Sequence, residues 1–235
     1  VQHIELPDTP VHVTEHRRAV YEDCEGQLYI PDCHELNGPI FGPRLLATIG
    51  WLKSVGHCSY STVEAWMEDV LQVPVSRGYL AKLCTGTISD SLADAYDERT
   101  EAIPRQQQLG SDETSIKNNG KKHWIWCITA ATFSVFHIAT TRSRQVLEKL
   151  VGPEFAGYLN FDYFSANCSF AWERFMFASD VEPTNNHSEQ QIRHCVIDRK
   201  ITPGTRSETG QRSHERMWTA IATCKKLDRN FFSIL

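Results

Sequence analysis

Apolar positions between residues 39 and 107 recur at intervals of three and four residues, which predicts a succession of amphipathic helices. The first helix is expected to open at Pro43 and to end near Gly56. A second helix follows, and Ser76 can cap a third whose apolar spacing continues to Leu92. Two helices joined by a tight turn are consistent with a DNA-binding helix-turn-helix, and a helical packing or dimerisation element explains the pattern equally well.

The periodicity changes to strand-like alternation after residue 108. The predicted elements are strands at 111–116, 123–128 and 133–138, a helix at 143–150 and a strand at 158–162. A short turn joins the second and third strands, which should therefore form an antiparallel hairpin. Three antiparallel strands, a helix and a fourth strand are the order of a ribonuclease-H-like core, so the predicted fold class is α/β (α+β).

Residues 1–38 are short of apolar periodicity and rich in turn-forming residues. The segments 11–14 and 28–30 have the composition of strands. Cys24, Cys33 and His34 are candidate metal ligands, but two cysteines nine residues apart make a weak metal-binding pattern. A small β segment without a metal is therefore the favoured interpretation.

Charge is distributed unevenly along the chain, whose net charge is −5. Residues 1–110 hold 8 Lys and Arg against 16 Asp and Glu, whereas residues 193–229 hold 9 against 4. Exposed charges are screened beyond about 10 Å, so local charge decides which surface attracts an anionic partner. If the protein binds nucleic acid, the C-terminal segment is the expected contact surface.

The eight cysteines are scattered and form no C-x-x-C pair. This spacing indicates reduced, mostly buried thiols and hence a cytoplasmic protein. No apolar run approaches the roughly 20 residues that span a bilayer, so no membrane association is expected.

Three acidic residues stand at positions from which they could share metal ions. Asp112 lies on the first strand of this order, Asp162 ends the fourth, and Glu189 falls in the first turn of a helix that Asn185 or Asn186 can cap. Carboxylate oxygens suit Mg²⁺ or Mn²⁺, and two such ions about 3.5–4 Å apart can activate an attacking hydroxyl and stabilise the leaving oxygen of a phosphodiester. The alternatives are aspartates in ordinary turns and a capping box formed by Asn186 and Glu189.

Several multi-residue motifs follow one another in a fixed order along nearly the whole chain. They lie at 41–45, 75–80, 112–114, 119–127, 161–166, 182–189, 199–201, 204–207 and 223–225. In the residues of these motifs and in their order along the chain, the sequence resembles the insertion-sequence-66 group of bacterial transposases.

The resemblance implies a DDE-type transposase that cuts and joins DNA at transposon ends with Mg²⁺ or Mn²⁺, and a zinc cofactor is not expected. By motif match, the catalytic metal ligands would be Asp112, Asp162 and Glu189. The residues shaping the site would be Asn185 and Asn186, and those meeting DNA phosphate would be Arg193, Arg199, Lys200 and Arg206. A solvated surface is the alternative for Arg199 and Lys200. Glu113 is the alternative first carboxylate, but strand alternation turns it to the face opposite Asp112.

The same resemblance divides the chain into three parts. Residues 1–38 would be a degraded zinc-ribbon-like β segment, residues 39–107 a helix-turn-helix-like region, and residues 108–235 a ribonuclease-H-like core. The implied partners are transposon-end DNA and further copies of the chain assembled on that DNA. The implied location is the cytoplasm, in association with the nucleoid.

The interval between the second and third carboxylates departs from the family pattern. Only 26 residues separate Asp162 from Glu189, where the family normally has a longer interval that holds another core strand and a helical insertion. The core would then lack the usual insertion. The alternative function is therefore an internally deleted, catalytically inactive relative that only binds DNA or oligomerises.

Overall fold

A computed structural model describes residues 2–7, 10–31, 40–152, 155–161 and 186–235. The helices in these ranges are Pro43–Ser54 (α1), Tyr60–Asp69 (α2), Arg77–Thr85 (α3), Thr87–Ser91 (α4), Ala93–Ala102 (α5), Arg144–Val151 (α6), Asn186–Ile201 (α7) and Glu208–Lys226 (α8). The strands are Tyr21–Glu22 (β1), Leu28–Tyr29 (β2), Gln108–Asn118 (β3), Lys121–Thr129 (β4), Ser134–Ala139 (β5) and Tyr158–Phe161 (β6). The predicted mixed α/β class is confirmed.

Four strands form the central sheet in the order β5-β4-β3-β6. β3, β4 and β5 pair antiparallel, and β6 lies parallel to β3. The β3–β4 hairpin turns at Asn119 and Gly120, whose φ angles of 47° and 75° are those of a tight two-residue turn. The predicted succession of three antiparallel strands, a helix and a fourth strand is confirmed as far as Phe161, and Asp162 lies outside the described residues.

Helices cover both faces of this sheet. On one face, Trp126 and Ile128 pack with Leu147 of α6. On the other, Cys127 packs with Cys195 of α7 and Trp218 of α8. Successive β4 residues thus point to opposite helical layers, as strand geometry requires. The near-continuous burial of β4 follows from this arrangement.

The helices α1 to α4 pack against the central sheet through α8, whereas α5 also contacts β5 directly. Met217 and Cys224 of α8 belong to the same apolar cluster as Ile49 of α1 and Leu80 of α3. Because α8 contacts β5 on one side and the preceding helices on the other, it is buried around most of its circumference. Ser207 caps it by accepting a hydrogen bond from the Gly210 N–H.

The first predicted helix is confirmed, and so is the N-cap at Ser76, whose hydroxyl accepts a hydrogen bond from the Tyr79 N–H. The prediction that the third helix continues to Leu92 is wrong. α3 ends at Thr85 because Gly86 adopts a non-helical conformation (φ −106°, ψ −101°), and two further helices follow. Residues 70–76 connect α2 to α3.

The N-terminal segment contains only the short hairpin β1–β2 within its described part. The predicted strand at 28–30 is confirmed over Leu28–Tyr29, but the one at 11–14 is wrong. Val13 is 82% exposed. This apolar side chain is therefore not packed against a core that could stabilise a strand. Cys24 is exposed in the hairpin turn, and Cys33 lies outside the described residues.

Six cysteines fall in the described ranges, and all six are free thiols. The predicted burial holds for the four of them that have no access to solvent, which are Cys84, Cys127, Cys195 and Cys224. Among the helices of the described ranges, none combines the length and the apolar character that a membrane crossing needs.

Candidate active site

Asp112 lies on the face of the sheet that α7 covers. It stands directly opposite Cys127 in the β3–β4 register, and paired residues point to the same face. Cys127 packs with Ile192 and Cys195 of α7. Burial raises the pKa of the Cys127 thiol to about 12, and the nearby Asp112 carboxylate adds to that rise. Asp112 is half-buried, and its Oδ1 accepts a hydrogen bond of 2.7 Å from the Glu113 N–H.

Glu189 lies in the first turn of α7, as predicted, and is exposed. The neighbouring Ser188 and, one turn further on, Ile192 are buried against the sheet. The helix already includes Asn186, so a capping box with Asn186 as the N-cap does not match this start. Asn185, the other predicted cap and site residue, lies outside the described residues.

The direction of α7 determines where Glu189 lies along β3. At the C-terminal end of the helix, Arg199 contacts Ser115. Glu189 is ten residues earlier, about 15 Å along a helix axis, which corresponds to four or five residues of a strand at about 3.4 Å each. Ile192 and Cys195 lie between these ends and pack on Cys127, so α7 runs back towards the start of β3. Counted from Ser115 along an axis parallel to β3, that length ends at Gly110 or Ser111, one or two residues before Asp112.

The second predicted carboxylate, Asp162, lies outside the described residues. The residue before it, Phe161, is paired with Ser111 in the parallel β3–β6 ladder. Ser111 in turn is the residue before Asp112. The last described pair of this ladder therefore immediately precedes both predicted aspartates in the sequence.

Glu113 points to the opposite face of the sheet, as strand alternation predicts. It pairs opposite Trp126, which belongs to the apolar cluster on the α6 side. The Glu113 side chain is 5% exposed, and its Oε1 accepts a hydrogen bond of 2.6 Å from Nε of Arg142. The Arg142 guanidinium also lies over the Trp124 ring, 4.9 Å from its centroid. Glu113 thus takes part in a buried ion pair on the far side of the sheet from α7.

The predicted DNA-contacting cations differ in exposure. Three of them are exposed, namely Arg193, Lys200 and Arg206. Arg199 is half-buried, and its Nη1 donates to Thr114 Oγ1 at 2.9 Å and to the Ser115 carbonyl at 2.6 Å. A solvated surface does not describe Arg199, which fastens the end of α7 to β3.

Two basic cavities flank the C-terminal end of α7. One, of about 320 Å³, is lined by Lys117, Lys122 and Arg199. The other, of about 470 Å³, lies between the helical region and α7–α8, where Lys53, Lys82 and Arg206 are among its lining residues. Sequence reasoning did not select Lys117, Lys122 or Lys53. The two adjacent lysines inside the motif at 119–127 are a sequence signal from which Lys122 could have been selected.

A buried polar network connects α7 to α8. Asp198 of α7 accepts a hydrogen bond of 2.5 Å from Nε1 of Trp218. His214 packs edge-on against the same indole at 4.6 Å. Burial lowers the pKa of His214 to about 4, assisted by Lys53 and opposed by the charges of Asp198 and Glu215.

This buried histidine predicts a loss of stability in acid. The pKa of His214 is about 4 when folded and about 6.5 when unfolded, so below pH 6.5 the unfolded chain binds the proton first. The free energy of unfolding should fall by about 2 kcal/mol through this residue between pH 7 and pH 5. Urea unfolding at both pH values, with EDTA present, measures it. His214→Gln should remove this part of the loss, and an unchanged pH dependence in that variant would contradict the assignment.

The donor chemistry of the candidate site fits a hard divalent cation. The described candidates, Asp112 and Glu189, offer only carboxylate oxygens, and both are accessible to solvent. Mg²⁺ and Mn²⁺ prefer such oxygens together with waters and substrate phosphate. The site therefore combines carboxylates at one end of α7 with basic cavities at its other end.

The mixed α/β core thus carries the candidate carboxylates and the adjoining basic cavities. A protein-family model described as "Transposase IS66 family" matches residues 38–171, more than half of the chain. The chain belongs to the IS66 family of transposases. The matched range includes Asp112 and Asp162 and ends before Glu189. No curated protein matches the chain, and no solved structure matches it.

Proposed function

We propose that the protein cleaves and joins DNA at the ends of an insertion sequence, with Asp112, Asp162 and Glu189 as the ligands of two divalent metal ions, Mg²⁺ or Mn²⁺. The observation that carries this proposal is the packing of α7 on the Asp112 face of the sheet, in the direction that brings Glu189 to within about two residues of the level of Asp112 along β3. Family membership supports action on DNA with a divalent metal.

The strand order supports a ribonuclease-H-like core. In the described residues, three antiparallel strands are followed by a helix and by a strand parallel to the first. Asp112 is near the middle of the first of these strands, and Asp162 follows the last described residue of the fourth. This arrangement supports a shared site for the two aspartates at the β3–β6 pair.

The chemistry assigned to these residues is that of metal-assisted phosphodiester cleavage. When bound, the metal ions would activate the attacking hydroxyl and stabilise the leaving oxygen. Asp112 holds its carboxylate in place through the 2.7 Å hydrogen bond from the Glu113 N–H, so that it stays oriented towards α7. Glu189 approaches from the first turn of α7.

The basic cavities support a path for the DNA backbone next to the carboxylates. Lys117 and Lys122 stand at the β3–β4 hairpin, and Arg206 stands in the segment between α7 and α8. Cations in such positions bind phosphate without reading sequence. The α2–α3 pair is proposed as a helix-turn-helix-like element that contributes to end recognition, and assembly as a homo-oligomer on DNA, in the cytoplasm, completes the proposal.

The function is tested by incubating the purified protein with DNA that carries the ends of the insertion sequence. We expect strand cleavage with Mg²⁺ or Mn²⁺, none with EDTA, and a loss of cleavage in Glu189→Gln while DNA binding is retained. Glu208→Gln is a matched control, since Glu208 lies in the first turn of α8. Folded protein that binds these ends but never cleaves them would overturn the proposal in favour of a catalytically inactive DNA-binding relative, for which the short interval between Asp162 and Glu189 is the supporting observation.

Neutralising the exposed cations should weaken DNA binding in a salt-dependent way. Each duplex phosphate that a variant no longer neutralises should reduce the slope of log K against log salt by about 0.9. We expect Lys200→Gln and Arg206→Gln each to show such a change without a change in melting temperature, because both side chains are exposed. Fluorescence anisotropy at several salt concentrations measures the slope.

Two variants delimit this prediction. Arg17→Gln changes an exposed cation in the acidic N-terminal part and should leave the slope unchanged. Arg199→Gln should lower the melting temperature, because it removes the hydrogen bonds to Thr114 and Ser115. Equal slopes for the wild type and the Lys200 and Arg206 variants would show that these residues do not meet phosphate.

A further inference from the structure

Two histidines and an aspartate meet where the helical region contacts α7. His57 follows α1 and has a left-handed backbone conformation with φ of 51°. His194 and Asp198 lie four residues apart on α7, so they occupy the same side of the helix. One potential ligand atom from each of the three residues lies within 4.8 Å of the others. Sequence spacing gives no hint of this cluster, because 136 residues lie between His57 and His194.

The cluster is largely removed from solvent. The exposed fractions of the His57, His194 and Asp198 side chains are 20%, 23% and 6%. Nδ1 of His57 lies 2.6 Å from Oδ1 of Asp198, and Nε2 of His194 lies 4.0 Å from Oδ2. The two imidazole rings are 4.4 Å apart between centroids. Oδ2 of Asp198 also accepts a hydrogen bond from the indole N–H of Trp218, which restrains the orientation of the carboxylate.

One ring nitrogen of the cluster lacks a partner. Within the described part of the chain, Nε2 of His194 is buried and has no hydrogen-bond partner. Leaving a buried polar atom unsatisfied has a free-energy cost that native structures usually avoid. A cation bound between this nitrogen, the His57 nitrogen and the Asp198 carboxylate would remove that cost.

We propose that His57, His194 and Asp198 form a binding site for a divalent transition metal of the Zn²⁺ type. Tetrahedral Zn²⁺ with bonds of about 2.0–2.1 Å separates its ligand atoms by about 3.3 Å. The observed separations of 2.6 and 4.0 Å lie on either side of that value. All three ligand atoms lie within 4.8 Å of one another, so shifts of up to about 1.5 Å convert the cluster into a site with two imidazoles, one carboxylate and a fourth position for water.

The donor set separates this site from the proposed catalytic one. Imidazole nitrogens suit Zn²⁺ and Co²⁺, whereas carboxylates alone suit Mg²⁺ and Mn²⁺. The positive charge of Lys53, which interacts with Asp198, opposes a bound cation. Burial lowers the pKa of Lys53, and its Nζ is directed to Thr202 Oγ1 at 3.2 Å. Both effects reduce that opposition.

A metal at this position would join the helical region to the helix that carries Glu189. His57 belongs to the segment between α1 and α2, and the other two ligands belong to α7. The ion would thereby restrain the position of α7 against α1 as a structural clamp. The inference does not depend on catalysis, because its ligands and its tests are independent of Asp112 and Glu189.

The experiment uses the full chain with Cys24→Ser, which removes the exposed thiol. Metal-free protein is titrated with Zn²⁺ by calorimetry and with Co²⁺ by visible absorption. We expect one equivalent of tight Zn²⁺ binding and a tetrahedral Co²⁺ spectrum. His57→Gln and His194→Gln should each weaken binding at least tenfold, since even changes to residues behind metal ligands cost 10–100-fold. His123→Gln, which changes a histidine outside the cluster, is the control and should bind as the wild type does.

Zinc-edge X-ray absorption of the Cys24→Ser protein with both histidines present identifies the zinc ligands directly. This measurement tests the proposal even if a histidine variant fails to fold. Two imidazole ligands with oxygen completing the shell are the expected result. Sulfur ligands, or the absence of stoichiometric binding, would overturn the proposal and leave His57 and Asp198 as an ion pair only. Melting curves with and without EDTA should also show stabilisation of the wild type by Zn²⁺ and none in His57→Gln.

Discussion

Replacing Asp112 with asparagine is expected to lower the rate of metal-dependent DNA cleavage by about a thousandfold. The substitution keeps the size of the side chain but removes the negative charge that holds a divalent ion. Metal ions supply several kcal/mol of charge stabilisation in such reactions, and about 4 kcal/mol corresponds to that factor. DNA binding should change little, because the cations proposed to contact phosphate are other residues. Single-turnover cleavage of end DNA in Mg²⁺ measures the effect.

Glu113→Gln is the matched control, since it changes the adjacent carboxylate on the same strand. Glu113 lies on the opposite face, in an ion pair with Arg142. Breaking a fully buried pair from one side costs about 3–5 kcal/mol of stability, and this pair should lose less because the Arg142 side chain is 30% exposed. We therefore expect Glu113→Gln to melt at a lower temperature and yet to cleave at a near wild-type rate per folded molecule. The reverse pattern, with cleavage lost in Glu113→Gln and retained in Asp112→Asn, would make Glu113 the metal ligand.

The largest effect on stability is expected for Trp218→Ala. Trp218 is 1% exposed, packs edge-on against Phe136 at 6.1 Å, and donates its indole hydrogen to Asp198. Truncating a buried tryptophan costs about 3–5 kcal/mol, and the unsatisfied Asp198 oxygen adds to that cost. For a chain of this length, the melting temperature should fall by roughly 10 °C or more. Differential scanning calorimetry gives the value.

Trp51→Ala is the matched control for that truncation. Trp51 lies on α1 and is 38% exposed, so its removal leaves no enclosed cavity and should cost less than half as much. Similar losses in the two variants would mean that the α7–α8 network around Trp218 contributes nothing beyond ordinary surface burial.

The sheet and its first helix were predictable because local signals agreed with tertiary packing. The β4–β5 hairpin has apolar runs on both strands, and α1 begins at a proline where helices prefer one. The break at Gly86 was not predictable from spacing, since the apolar positions of α3 to α5 continue through it. The strand predicted at 11–14 does not form. Its residues alternate as in a strand, but no strand in the described part of the chain pairs with them, and alternation alone does not stabilise a strand.

Only those features of the candidate site that follow from sequence motifs or from strand alternation were predictable. Strand alternation correctly separated Asp112 from Glu113. The position of Arg199 against β3 depends on how α7 crosses the sheet, which no local pattern encodes. The same limit explains why the His57–His194–Asp198 cluster was missed. The placement of Asp162 stays a prediction, as it lies outside the described residues.

Anomalous diffraction from crystals of the protein with end DNA and Mn²⁺ is the most direct test of the proposed catalytic site. Data collected at the manganese edge locate each ion without reference to activity. We expect two Mn²⁺ ions about 3.5–4 Å apart, bound by Asp112, Asp162 and Glu189 and in contact with the scissile phosphate. Manganese bound elsewhere, with the Asp112 and Glu189 carboxylates too far apart to share an ion, would contradict the proposed site.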